Sequence, residues 1–322
     1  MKRIKKSILW ILTSVLISLC FDITAFCDME KGVGPASAKA AGAAGSQNAG
    51  APQSVEKKDG QPVSFADGQP IVLSGEWKYA DFSEIHEGNA VFYKAPANRK
   101  EKIVAVNAGH GTRGGESKKT YSHPDKTGKV TGGTNAAGAV KSMCVSSGMT
   151  FRDGTPEPVV TLRMAQIFKE KLLAAGYDVL MIRDGADVQL DNVARTVIAN
   201  NCADIHIALH WDGDGLNRIK GVFYMSVPDQ LKAMEPVASH WQQHEQLGDC
   251  LIKGLETAIP DIQVWNCTGH GSLDQDLTQT SFSTVPSVDI ELGNQCSRHD
   301  DEMLSKEADG LLCGVELFFA QK

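Results

Sequence analysis

From residue 101 onward the chain alternates short apolar runs with longer stretches whose apolar residues recur at helical spacing. "KIVAV" (102–106), "YDVLMI" (177–182), "DIHIAL" (204–209), "GVFYMSV" (221–227) and "SVDIE" (287–291) are short enough for strands. Between the first two, Leu162, Ala165, Phe168 and Leu172 fall near a 3.6-residue period, with Thr155-Pro156 as a start and Gly176 as a stop. "NVARTVIANN" (192–201), most of 229–258 and the tail from about 299 read as further helices. This order restricts the chain to an α/β fold, a twisted, mostly parallel sheet flanked by helices in a single domain over 101–322.

The chain ahead of that domain has a different character. "MKRIKK" followed by "SILWILTSVLISLCF" (7–21) pairs a basic start with an apolar run shorter than the ~20 residues a spanning helix needs. Residues 1–27 therefore read as an export signal, either removed or kept as a membrane anchor, and the protein is expected outside the cytoplasm, in the cell envelope or beyond. Residues 28–63 are rich in Ala, Gly, Ser and Pro and read as a flexible linker. Aromatic and β-branched residues return in 64–100, a short lead-in to the main domain. The net charge of −7 disfavours nucleic acid as a partner. Six of the eight cysteines lie beyond the signal, but no CxxC occurs, which argues against a cysteine-type zinc site.

Three of the expected strands end in groups that bind metals or move protons: "VAVNAGH" at His110, "HIALH" at His210 and "VPSVDIE" at Glu291. Ligand crevices in open α/β sheets lie outside the carboxyl ends of the strands, so these side chains can converge despite their separation in sequence. Gly109 lets the backbone turn beside the imidazole. A catalytic zinc site wants about three His or carboxylate ligands and an open position. Glu157, opening the first long helix, is the carboxylate best placed to join, although an acid there also complements the helix dipole without any metal.

Residues 102 to about 312 resemble the zinc-dependent N-acetylmuramoyl-L-alanine amidases of the amidase_3 family. "VNAGHG", "EPVVTLRMAQIFKEKLLAAGYDVLMIRD", "LDNVARTVIANNCADIHIALHWD" and "VPSVDIELGN" match its segments in order. The resemblance implies that His110, Glu157 and His210 hold one zinc ion and that Glu291 is the catalytic carboxylate. Arg183, Arg195, Asp212, His270 and Asn294 are then candidates for substrate contact or for support of the ligands. The implied reaction is hydrolysis of the amide between N-acetylmuramic acid and L-alanine, with peptidoglycan as substrate. A zinc peptidase cutting within the stem peptide and a wall-binding or regulatory homologue without turnover are the alternative readings. No protein partner is named by the sequence.

Against the family pattern, His110 and Glu157 are widely spaced, with an insertion at about 112–150 whose Gly and Lys content suggests a mobile lid or a specificity element. His206 shares the His210 face by alternation but sits well over ~10 Å away along the strand, which favours a core role. His240 and His244 are one helical turn apart in "HWQQH", yet Trp241 stands where HExxH has its glutamate, so the pair reads as a solvated helix face. "NAGHGTRGG" lacks the Lys-Ser/Thr ending of a phosphate-binding loop.

Overall fold

A computed structural model of the protein describes residues 64–265 and 271–321. The signal and linker expected over 1–63, and the loop histidine His270, lie outside the described residues. In chain order the strands are β1 (Gln69–Ile71), β2 (Ala90–Tyr93), β3 (Ile103–Ala108), β4 (Lys119–Tyr121), β5 (Lys141–Met143), β6 (Asp178–Met181), β7 (Ile205–Asp212), β8 (Phe223–Ser226), β9 (Ser272–Asp274) and β10 (Ser287–Asn294). The helices are α1 (Glu157–Ala174), α2 (Asn192–Cys202), α3 (Val237–Ala258), α4 (Thr278–Phe282) and α5 (Asp301–Ala320).

All strands but β4 and β5 join one sheet in the order β1-β2-β6-β3-β7-β10-β8-β9. Its centre, β6-β3-β7-β10, is parallel, as the alternating pattern requires. The antiparallel pairings lie towards the edges. Residues 64–100 supply β1 and β2, which pair antiparallel to each other and onto β6. β8 runs antiparallel to β10, because a loop over 213–222 joins it to β7 with no crossover helix.

Apolar alternation on the central strands sets which way each side chain faces. On β7, Ile205, Ile207, Leu209 and Trp211 join the core formed with α1, α3 and α5, and on β10 Val288, Ile290 and Leu292 do the same. The opposite face of the sheet packs on α2 and on Phe282 of α4. With a two-residue period, His206 and His210 of β7 and Ser287, Asp289 and Glu291 of β10 must therefore face the α2/α4 side. The register sets Glu291 beside His210, Asp289 beside Ala208 and Ser287 beside His206.

His206 is a core residue, fully buried with its Nδ1 3.3 Å from Ser287 Oγ. The solvated-face reading of "HWQQH" is corrected for one of its two histidines. His244 is buried against β10, where its Nδ1 accepts the Ser287 N–H at 2.8 Å. The i, i+4 spacing could not reveal this, because α3 buries one whole flank between the sheet and α5. Burial pulls both His206 and His244 down to about 3.

The inserted segment holds the β4–β5 hairpin and carries a polar anchor that its composition does not reveal. Asp276, fully buried between β9 and α4, accepts from Val130 N at 2.8 Å, Thr131 N at 3.0 Å, His123 Nε2 at 3.0 Å and Lys129 Nζ at 3.0 Å. The far nitrogen of His123 meets Ser281 Oγ of α4 at 2.9 Å.

Candidate active site

β3 ends at Ala108, and the chain turns through Gly109 to present His110 from a left-handed backbone, φ 64°. A non-glycine residue there is strained and needs support from its surroundings. Two buried arginines provide it. Arg195 donates to Ala108 O at 3.2 Å and His110 O at 2.6 Å; Arg183 donates to Ala108 O at 3.1 Å and Gly109 O at 2.9 Å. Burial pulls Arg183 down to about 10, and burial together with the charge of Arg183 pulls Arg195 to about 9. The need for glycine at 109 differs from the turn expected from sequence. A Cβ there would lie 2.2 Å from His210 Cε1, so its role is to leave room for the second imidazole.

Three expected ligands meet. His110 Nε2 is 2.9 Å from Glu157 Oε1, His210 Nδ1 is 3.2 Å from the same oxygen, and the two ring nitrogens are 3.1 Å apart. Glu157 is buried at the first position of α1, its Oε1 accepting from Trp211 N at 3.0 Å and its Oε2 from Met149 N at 2.9 Å. Burial alone would raise its carboxyl, but the imidazoles of His110 and His210 outweigh burial and hold it well below the usual carboxylate range. Two imidazoles and one carboxylate, their donor atoms all within 4.8 Å of one another, are a donor set that could hold a metal ion.

The insertion supplies part of this cluster. Ser146 O faces His110 Nδ1 at 2.8 Å, so the ring donates there and turns Nε2 towards Glu157. Gly148, at φ 83°, passes directly over the ligands: a Cβ would sit 2.8 Å from both Glu157 Oε2 and His110 Cδ2. Nothing in the sequence singles out Ser146, Gly148 or Met149, since two of the three contribute through backbone atoms.

Glu291 sits beside His210 in the register, buried, with Oε2 unpartnered among the described residues. Burial first, then the neighbouring Asp289 carboxylate, push it well above the usual range. Asp289 was not singled out from sequence, although alternation in "SVDIE" puts it on the Glu291 face. His110, Glu157, His210, Asp289 and Glu291 all line a cavity of about 520 Å³, bounded by residues 112–150 on one side and the β9–α4 turn on the other.

The remaining candidates separate by position. Asp212 lines the cavity and pairs with Lys220. Arg195 also borders it, but its donors are taken up by the His110 turn, Leu190 O, Asn107 Oδ1 and Thr112 Oγ1. Arg183 is buried behind that turn and does not line the cavity. Asn294 also lies off the cavity, donating to Asp214 Oδ1 at 3.1 Å and Arg218 O at 2.9 Å to hold the loop after β7.

A family model described as N-acetylmuramoyl-L-alanine amidase, Amidase_3, matches residues 104–311. Among solved structures, the N-acetylmuramyl-L-alanine amidase Ami1 of Mycobacterium smegmatis superposes with a TM-score of 0.58 at 19% identity, over 70% of this chain and 100% of that one. The apo form of Ami1 from Mycobacterium abscessus gives 0.55 at 21% identity, over 69% and 99%. At such identities these two likenesses speak for the fold. No curated protein sequence matches the chain.

Proposed function

The chain belongs to the Amidase_3 family of N-acetylmuramoyl-L-alanine amidases, and from that premise we propose that it cuts peptidoglycan with one zinc ion held by His110, Glu157 and His210 and with Glu291 as catalytic carboxylate. The observation that carries this reading is the meeting of two imidazoles and a buried carboxylate beside Glu291, whose Oε2 has no hydrogen-bond partner among the described residues, all facing one cavity. A zinc ion bound there supplies Lewis acidity, polarising the scissile carbonyl and acidifying water.

The chain's own groups do the rest. Glu291 takes a proton from the attacking water as its oxygen bonds to the lactyl carbonyl carbon, and returns it to the nitrogen as the C–N bond breaks. The products are the lactyl carboxylate on the glycan and a stem peptide with a free L-alanine amine. Proton handling of this kind is worth about two to four powers of ten in rate. A cation in the cradle favours the ionised form of Glu291 that the first step requires, offsetting the upward push of burial. Arg183 and Arg195 act through His110, by fixing the carbonyls of its turn. The basic and apolar residues at the N-terminus support export to the envelope, where this substrate lies, with the segment cleaved or kept as a tether.

Mass spectrometry of purified peptidoglycan after incubation with the protein, with and without chelator, tests the reading. Chelator-sensitive release of stem peptides beginning with L-alanine is expected. Cleavage inside the peptide would keep the metal site and discard the substrate assignment. Glu291→Gln should lose turnover and keep zinc, whereas His210→Ala should lose both.

A further inference from the structure

Asp289 is an unusual occupant of its position. It lies in the middle of β10, an interior strand of the sheet, where a buried carboxylate with no partner is costly. Its Oδ1 is buried and has no hydrogen-bond partner among the described residues. Oδ2 lies 3.6 Å from Nε2 of His210. The small side chain of Ala208, beside Asp289 in the register, leaves room for the carboxylate to lean towards the imidazole two residues further along β7.

The orientation of His210 adds a second observation. Its Nδ1 is the atom that meets His110 and Glu157, so its Nε2 points away from the cluster and towards Asp289. His110 is backed in a parallel way, with Nε2 in the cluster and Nδ1 on the carbonyl of Ser146. Each imidazole thus has one nitrogen inward and an acceptor behind the other.

We propose that Asp289 is a positioning residue of the metal centre: its carboxylate receives the Nε2–H of His210 and fixes the tautomer that turns the Nδ1 lone pair towards the metal. This rests on the zinc reading of the preceding subsection. A metal-ligating histidine commonly donates its second ring N–H to a carboxylate or carbonyl, which sets the ring's orientation and raises its basicity. The present 3.6 Å is an ion-pair separation just beyond hydrogen-bond reach, and the proposal requires that gap to close when the site is loaded. Asp289 and Glu291 then divide the work of one strand face, the former holding a ligand and the latter moving protons.

The test measures zinc affinity by competition with a chromophoric chelator, on the full chain and its Asp289→Asn and Asp289→Leu variants, together with the visible spectrum of each cobalt-substituted protein. Asp289→Leu should lose about 10- to 100-fold in affinity and shift the cobalt bands. Asp289→Asn keeps an acceptor oxygen in place and should recover most of both, a rescue that a general packing role would not give. Wild-type affinity and an unaltered cobalt spectrum in Asp289→Leu would overturn the proposal. Nitrogen-15 spectra of the zinc-loaded wild type give a check that needs no variant: His210 protonated on Nε2 is expected, and on Nδ1 refutes it. Absence of zinc affinity in the wild type would overturn the metal reading itself, a result distinct from a wild type that binds and a leucine variant that binds equally.

Discussion

Replacing Asp276 with alanine should free the insertion from the rest of the domain. In the native protein this one carboxylate accepts from two backbone amides, the Thr131 hydroxyl, a buried lysine and a buried histidine. Asp276→Ala leaves the buried Lys129 ammonium with only the main-chain carbonyl of residue 276, and removes the acceptor opposite Nε2 of the buried His123. Removing one member of a buried ion pair costs roughly 3–5 kcal/mol. If the insertion unfolds together with the domain, that corresponds to a fall in Tm of about 6–20 °C, at 2–4 °C per kcal/mol for a domain of this size. If it opens independently, its open population rises by roughly two to three and a half powers of ten. The two cases separate in a thermal melt combined with limited trypsin digestion and peptide mapping, since Lys118, Lys119, Lys126 and Lys141 all lie in the segment. An unchanged melt together with unchanged cleavage within 112–150 would falsify the anchoring role. The anchor should also survive mild acid. Burial works against the ionised form of Asp276, but bonds from His123 and Thr131 and the nearby Lys129 outweigh it and hold the carboxyl well below its ordinary 3.8. A depressed carboxylate contributes stability above its unfolded pKa and loses it only as pH falls through the lower folded value, so proteolytic protection should persist from neutrality down to about pH 4.

Two further predictions concern stability. Glu307 of α5 is buried with Oε2 unpartnered among the described residues, and burial pushes its carboxyl well above 4.5, so the unfolded chain releases a proton that the fold retains and stability falls as pH rises above 4.5. Glu307→Gln should raise Tm more at pH 8 than at pH 5, and equal shifts at the two pH values would refute this account. His206 and His244 are held neutral down to about 3, so between pH 6.5 and 3 the unfolded chain binds protons that the fold refuses, and stability drops as pH falls through that window. Each histidine contributes a slope of roughly 1 kcal/mol per pH unit below its unfolded pKa, which buried acids such as Glu307 oppose. Denaturant unfolding of wild type and His206→Leu at pH 7, 6 and 5 should show a stability difference between the two that changes with pH in that direction, and a constant difference would refute the account.

Much of this architecture is legible in the sequence, for identifiable reasons. The parallel centre of the sheet is readable because its strands are buried on both faces and flanked by amphipathic helices, so "YDVLMI" and "DIHIAL" stand out as apolar runs. His110, His210 and Glu291 are readable because strand ends collect in one crevice. β4, β5, β9 and α4 are not, since each is five residues or shorter and none carries a periodic apolar pattern. Asp289 was accessible in principle: the alternation that assigns Glu291 to the cavity side assigns Asp289 there too. His244 was not, because helical spacing shows that two histidines share a face and says nothing of what covers that face.

The insertion is where sequence and site part furthest, and the difference has a chemical origin. Its contributions to the His110–Glu157–His210 cluster are a carbonyl from Ser146 and an amide from Met149, groups any residue supplies, and the path between them requires Gly148 both for its left-handed backbone and because a Cβ would strike His110 and Glu157. What residue identity does fix is the anchor some twenty positions earlier, where Lys129 and Thr131 meet Asp276. The segment that walls the cavity is therefore the segment that orients two of the three ligands, and both functions hang on one buried carboxylate. A change in the wall that alters which substrates enter cannot leave the metal site untouched unless the path from Ser146 to Met149 is preserved. Loosening Asp276 should then lower zinc affinity as well as admit protease, although Asp276 is not a member of the ligand cluster.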